Sequence, residues 1–206
     1  MKVLLINGSP HEKGCTYTAL SLIAGELKAQ GIETEILHVG GQPVGGCIGC
    51  GSCRSGNGCV FGGVVNEAIE KAKTADAFVF GSPVHYASAA GNMASFMDRL
   101  AYAGGKYLAY KPAAVCCSAR RAGTTSTLDQ LVKYPQFFHM PLVNGSYWAM
   151  VHGSNPEQVL QDAEGCAVMQ ELGRNMAWLL HCIEAGKAAG IDHPQNPPRP
   201  MTSFIR

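Results

Sequence analysis

The sequence predicts a three-layer α/β sandwich on a five-stranded parallel sheet, and three observations carry that prediction. Short apolar runs rich in Val, Leu and Ile alternate with stretches of helical periodicity along most of the chain. The first run, KVLLING at 2–8, has the character of a buried parallel strand covered on both faces. Loops rich in Gly, Ser and Pro follow three of the runs, at the edge of an open sheet where ligands bind.

Taken in order, KVLLING is the first strand and SPHEKGC, residues 9–15, a loop. From Thr16 to Gln30, the residues Leu20, Leu22, Ile23, Leu27 and Ala29 recur at helical spacing, with Gly31 as the C-terminal cap. ETEILHV, residues 33–39, alternates polar and apolar and is the second strand. Residues 39–63 are rich in Gly and Cys, with little periodicity; a loop of that length is usually functional or disordered. A helix over Val64–Thr74 precedes the third strand, DAFVFGSP at 76–83. Ala89–Leu100 is a helix with Met93, Phe96, Met97 and Leu100 on one side. PAAVCCSA at 112–119 is the fourth strand, RRAGTT at 120–125 a loop, and Ser126–Tyr134 a helix. MPLVNGSYWAMV at 140–151 supplies the fifth strand, with a candidate interruption at Asn144-Gly145. A helix over Pro156–Gly186 follows, with a candidate break near Gly165. These elements form one domain over 1–190, with right-handed crossovers between parallel strands, and residues 191–206 are an extended Pro-rich tail.

Composition narrows the function. The 206 residues are 47% hydrophobic and 15% charged, which suits a globular domain with a real core. A formal net charge of +1 implies no bulk attraction to nucleic acid or to a membrane surface. No apolar run approaches a membrane span, and the N-terminus lacks a secretory pattern, so the expected compartment is the cytoplasm. Thiols stay reduced there, and nine cysteines argue for metal ligation or thiol chemistry over a disulfide framework.

Two stretches carry chemistry. In NGSPHEKGCTYT, residues 7–18, the hydroxyls of Ser9, Thr16, Tyr17 and Thr18 gather with backbone N–H groups at a helix start, which makes a phosphate cradle. The stretch lacks both the P-loop ending and the G-x-G-x-x-G dinucleotide pattern, and an ordinary strand–helix turn with capping hydroxyls is the other reading. Cys47, Cys50, Cys53 and Cys59 form C-x2-C-x2-C-x5-C. Three ligands at that spacing let one tight Gly-rich loop wrap a 4Fe–4S cubane; bare thiols and zinc are the alternatives, and zinc prefers two separated knuckles. Cys116, Cys117, Cys166 and Cys182 read as small hydrophobes, and Trp148 and Trp178 as core or subunit-interface anchors.

LLINGSPHEKGCT at 4–16, together with VFGSPVHYASAAGNMASFMDRL at 79–100, resembles the NADPH-dependent FMN reductase and iron–sulfur flavoprotein group of the flavodoxin-like fold, over roughly residues 1–125. The resemblance implies that the first loop binds the FMN phosphate through Ser9, His11, Lys13, Cys15 and Thr16. His11 stands where the family commonly carries Arg, and Cys15 where it carries Asn or Ser; Lys13 is a nearby cation. The resemblance also implies that Pro83, Val84, His85 and Tyr86 lie along the isoalloxazine ring, with His85 the one candidate proton donor. The resemblance further implies that Ser118, Arg120 and Gly123 approach its pyrimidine side, where Arg120 or Arg121 would face negative charge at N1; a solvated basic pair is the other reading. The iron–sulfur flavoproteins carry a compact four-cysteine motif at the same point of the fold, which favours a 4Fe–4S cluster on Cys47, Cys50, Cys53 and Cys59. The implied activity is an FMN-dependent oxidoreductase reducing flavin, a quinone or another small acceptor with NAD(P)H. The other function considered is an electron carrier between ferredoxin-like partners. Relatives bind flavin near a subunit boundary, which implies a homodimer or homotetramer.

Overall fold

A computed structural model describes residues 1–203. Its central sheet has the strands β1 (Lys2–Asn7), β2 (Glu33–His38), β3 (Ala77–His85), β5 (Ala113–Ala119) and β6 (Met150–His152), all parallel, in the order β2-β1-β3-β5-β6. A sixth, two-residue strand, β4 (Ser88–Ala89), folds back antiparallel on the end of β3.

Period-two alternation in β1 explains the layers. Val3 and Leu5 point into a core shared with helices α1 (Cys15–Ala29) and α6 (Ala163–Ala188). Leu4 and Ile6 point the other way, against α2 (Val64–Thr74) and α3 (Gly91–Gly104). In β3 the same alternation places Phe78 and Phe80 side by side on the α2/α3 face, their rings 6.0 Å apart and 3° from parallel. The inner strands β1, β3 and β5 are apolar on both faces because helices cover both, whereas the edge strand β2 carries Glu33 and Glu35. On the first face, α6 packs so closely on α1 that a Cβ at Gly173 would meet the Ile23 carbonyl at 2.8 Å. Helix α4 (Thr124–Phe137) follows β5, and the short α5 (Pro156–Gln161) follows β6. None of the described helices is long and apolar enough to cross a membrane.

Three expectations gain detail and one needs correction. The fifth strand is interrupted across Asn144-Gly145, as its sequence suggested. Leu142 bridges Ala113, and pairing resumes only where Met150 meets Cys117. Eight residues separate Leu142 from Met150 where four separate their partners, so four residues leave the ladder. They leave because α6 offers them polar partners: Glu171 accepts from the Ser146 N–H and hydroxyl at 2.8 and 2.6 Å, and Asn175 donates to the Asn144 carbonyl at 2.8 Å. The break in the last helix, expected near Gly165, falls at Asp162; its carboxylate accepts the Gly165 N–H at 3.0 Å and starts α6. Trp148 and Trp178 are exposed, at 59% and 68%, so neither is a core anchor. Cys182 is exposed too, unlike Cys116 and Cys117, which burial pushes far above the usual thiol range. The tail over 191–203 has no regular structure, but His193 stacks on Tyr110 at 4.3 Å and Asn196 donates to its hydroxyl.

Candidate functional site

The loops after β1, β3 and β5 meet at the carboxyl edge of the sheet. The first is wound by Asn7, which is fully buried at the end of β1. Its amide oxygen accepts from the Ser9 N–H at 3.1 Å and its amide nitrogen donates to the Glu12 carbonyl at 2.9 Å. The Ser9 hydroxyl then accepts from the His11 N–H at 3.1 Å. This is an Asx turn followed by a serine turn, and it curls the chain back before the helix begins. The result leaves His11 and Lys13 exposed and Ser9 buried.

Helix α1 starts at Gly14 without a side-chain cap. The first backbone bond is from Thr18 N–H to the Gly14 carbonyl, so the amides of Cys15, Thr16 and Tyr17 have no capping partner. Helices α3 and α4 begin at the same edge, also without side-chain caps. Uncapped amides at helix N-termini are where an anion binds, and this donor set suits a phosphate monoester. Thr16 is turned inward: it is 1% exposed, and its hydroxyl is 2.8 Å from that of Ser118, which is 3% exposed. These two sequence-derived candidates therefore tie the first loop to β5. Cys15 is half-buried, its thiol near the Gly153 carbonyl, and burial raises its pKa.

The second loop is a hairpin. Pro83, Val84 and His85 belong to β3, which pairs Val84 with Ala89 and His85 with Ser88. Tyr86 and Ala87 make the turn at φ 50° and 59°, a conformation that costs non-glycine residues about 1–3 kcal/mol each. Tyr86 is fully exposed at its tip. Helix α4 holds the hairpin in place. Gln130 accepts from the Ser88 hydroxyl and the Ala89 N–H at 3.0 and 2.9 Å, and Ser126 donates to the Ala87 carbonyl at 2.6 Å. From the inner side, buried Ser82 accepts from the Ala90 N–H at 3.0 Å. Gly123, at φ 93°, is the closest approach: a Cβ there would lie 2.7 Å from the Ala87 Cα. Arg120 and Arg121 are exposed beside it.

The cysteine-rich loop starts at this edge and then leaves it. A Cβ at Gly40 would lie 2.2 Å from the Ser9 carbonyl, so the two loops touch through backbone. His38 reinforces the contact, its Nε2 2.7 Å from the same oxygen. Asn92, in the first turn of α3, donates to the carbonyls of Gly40 and Gln42 and accepts from the Val44 N–H. The chain then runs along α3 for two turns, about 10 Å at 1.5 Å per residue, to Arg99. There Cys47, Cys50, Cys53, Cys59, Ile48 and Arg99 are among the residues lining one cavity of about 440 Å³. A single 3₁₀ turn at Ser52–Ser55 carries Cys53, entered and left through Gly51 and Gly56 at φ 73° and 86°. Asn66 of α2 pins Cys59 by both backbone groups, at 2.8 and 3.0 Å. The Ser52 hydroxyl and amide hold the exposed Cys50 thiol below its usual range.

Four cysteines lining one cavity, anchored from two helices, supply the thiol chemistry an iron–sulfur cluster requires. Among the described residues no three His, Cys, Asp or Glu side chains stand at metal-binding distance from one another, so the thiols share the cavity without converging on a point. Reading the sequence alone missed Asn7, Ser82, Asn92, Arg99, Asn66 and Gln130. Only Asn7 had a local signal, an Asn two residues before a Ser at a strand end.

The model of one family, described as NADPH-dependent FMN reductase, matches residues 1–155. An iron–sulfur flavoprotein of Methanocaldococcus jannaschii is 28% identical over 192 residues, covering 89% of this chain and all of the relative. An iron–sulfur flavoprotein of Methanosarcina thermophila is 22% identical over 91% of this chain and 99% of its own. Among solved structures, a NADH:FMN oxidoreductase superposes with a TM-score of 0.64 at 17% identity, over 86% of this chain and 89% of that one. An archaeal flavodoxin gives 0.60 at 14% identity, over 88% and 99%. At such identities the solved structures speak for the flavodoxin-like fold alone.

Proposed function

The chain belongs to the NADPH-dependent FMN reductase family and is a flavin-dependent oxidoreductase, and from that premise we propose that it couples FMN to an iron–sulfur cluster held by Cys47, Cys50, Cys53 and Cys59. When bound, FMN exchanges one or two electrons with small acceptors and a cluster exchanges one at a time. The chain's own residues divide the work. The amides of Cys15, Thr16 and Tyr17, with exposed His11 and Lys13, receive the phosphate of FMN. The strand end Pro83–His85 and the tip residue Tyr86 lie along the ring, held there by Gln130 and Ser126. Ser118, Arg120 and Gly123 bound the third side, with Arg120 or Arg121 the cation nearest developing negative charge. His85, exposed at the hairpin, is the side chain placed to deliver a proton to an acceptor. NAD(P)H is the electron donor, and flavin, a quinone or a similar small molecule is the acceptor.

The observation that supports the cluster is the shared cavity: one loop brings four cysteines to its lining, and α3 runs from that cavity toward the carboxyl edge of the sheet. Helix α3 thus sets the spacing between the two redox groups. A second reading, a carrier for protein partners without its own substrate, draws support from Ile48, Val60, Phe61 and Tyr102, all more than half exposed around the cavity mouth. Purification without oxygen, followed by iron, sulfide and flavin assays, tests the cluster; about four irons per chain are expected, and FMN with neither iron nor sulfide would end that part of the reading. Mixing the holoprotein with NADPH or NADH then separates the two functions. Flavin bleaching within seconds supports the enzyme, and bleaching only by a reduced ferredoxin supports the carrier.

A further inference from the structure

Arg99 is the anomaly of the cavity. It lies on α3, is 6% exposed, and carries a guanidinium charge. A buried charge is costly unless an opposite charge accompanies it. Yet among the described residues no carboxylate sits at ion-pair distance from it. Its sequence neighbour Asp98 faces away and accepts from the Tyr134 hydroxyl of α4 at 2.6 Å. The guanidinium donates to the Gly62 carbonyl at 3.0 Å and the Gly45 carbonyl at 3.4 Å, and lies over the Phe61 ring at 5.4 Å. Its Nε donates toward the Cys59 sulfur at 3.2 Å. Every one of these partners is neutral except the sulfur, which turns anionic when it ligates.

We propose that Arg99 is the buried counter-ion of the anionic group that the four cysteines hold, a positioning residue that closes the loop over that group and raises its reduction potential. The inference rests on the cluster reading above. Two features give Arg99 this role in place of Arg54, the other cation lining the cavity. Arg54 is exposed, so water and salt screen it. Arg99 is desolvated, and its fork ties together both ends of the loop, Gly45 before the first cysteine and Gly62 after the last. Adding an electron makes a cluster more negative, so a fixed positive charge at its edge favours the reduced form.

The test uses anaerobically isolated holoprotein with FMN content as the check on folding. The variants are Arg99→Met, Arg99→Lys and Arg54→Met, each read by iron content and by a redox titration followed by electron paramagnetic resonance. Arg99→Met should make cluster reduction at least roughly tenfold less favourable, a fall of about 59 mV for one electron. Arg99→Lys should keep a potential near that of the wild type while losing iron faster, because it retains the charge without the fork. Arg54→Met should shift the equilibrium less than threefold. If Arg99→Met takes up no iron, Arg99→Lys carries the test, and a loaded Lys variant at the wild-type potential supports the proposal. A wild-type potential in loaded Arg99→Met overturns it, as does failure of both Arg99 variants to load while FMN stays bound. Absence of iron from the wild type is a different result, which removes the cluster and the counter-ion with it.

Discussion

Replacing Gly123 by Ala tests whether the β3–β4 hairpin is a wall of the flavin site. Gly123 holds φ 93°, where an L residue costs about 1–2 kcal/mol relative to Gly. The added Cβ would also sit 2.7 Å from the Ala87 Cα and 2.9 Å from a Val84 methyl. Ordinary contact starts at 3.4 Å, and backbone cannot rotate away, so the hairpin must move by ~1 Å; overpacking of that kind costs about 1–3 kcal/mol. Gly190 supplies the control. It holds a similar φ of 81° with nothing within 4 Å, so Gly190→Ala carries the backbone strain without the collision. Gly123→Ala should lose about 3 kcal/mol and roughly 6–12 °C of melting temperature, against about 1 kcal/mol and 2–4 °C for Gly190→Ala. Moving the hairpin should weaken FMN binding roughly 10- to 100-fold, equivalent to about 1.4–2.8 kcal/mol, while Gly190→Ala leaves it unchanged. Fluorescence titration of FMN and thermal melts of both variants measure this. An FMN affinity in Gly123→Ala within twofold of the wild type would refute the placement of the ring on the hairpin.

Cys50→Ser should remove iron and brown absorbance from anaerobic protein while FMN stays bound, since the thiol lines the cavity beside Arg99 and not the loop at the start of α1; loss of FMN as well would show the two sites to be one. Glu35 is held below the usual carboxylate range by hydrogen bonds from Lys2 and Lys71. Its stabilising contribution is therefore complete above the ordinary carboxyl pKa of about 4.3 and fades as pH falls through the depressed value. Glu35→Gln should flatten that acid limb in melts across pH 2–6 and leave stability near pH 7 only slightly lower. Exposed Trp178, Trp148 and Tyr86 point to a homo-oligomer, which sedimentation at micromolar concentration should reveal as a dimer or tetramer; a flavin-loaded monomer would contradict this.

The sandwich was legible because its signals are local. Unbroken apolar runs in β1 and β3 state that both faces are covered, and the 3.6-residue stripe of Met93, Phe96, Met97 and Leu100 states which face of α3 is inside. The cysteine spacing is also local, so the chemistry it suits could be read before any contact was known. The extent of the break in the fifth strand was not legible, for the opposite reason. Leu142, Val143 and the run from Ala149 to Val151 are apolar enough for a strand, but Glu171 and Asn175 draw the intervening residues off the ladder, and those partners lie some thirty residues away. Arg99 shows the same limit at the site. One position from Leu100 on an amphipathic helix, a cation reads as solvated surface. Only the loop of residues 39–63, folding back along α3, takes it out of water and turns its Nε toward Cys59. The residue types and their spacing thus belong to the sequence by itself. Which charge is buried, and beside which thiol, was decided by tertiary structure, because desolvation depends on what covers a group, and its cover is remote in the chain.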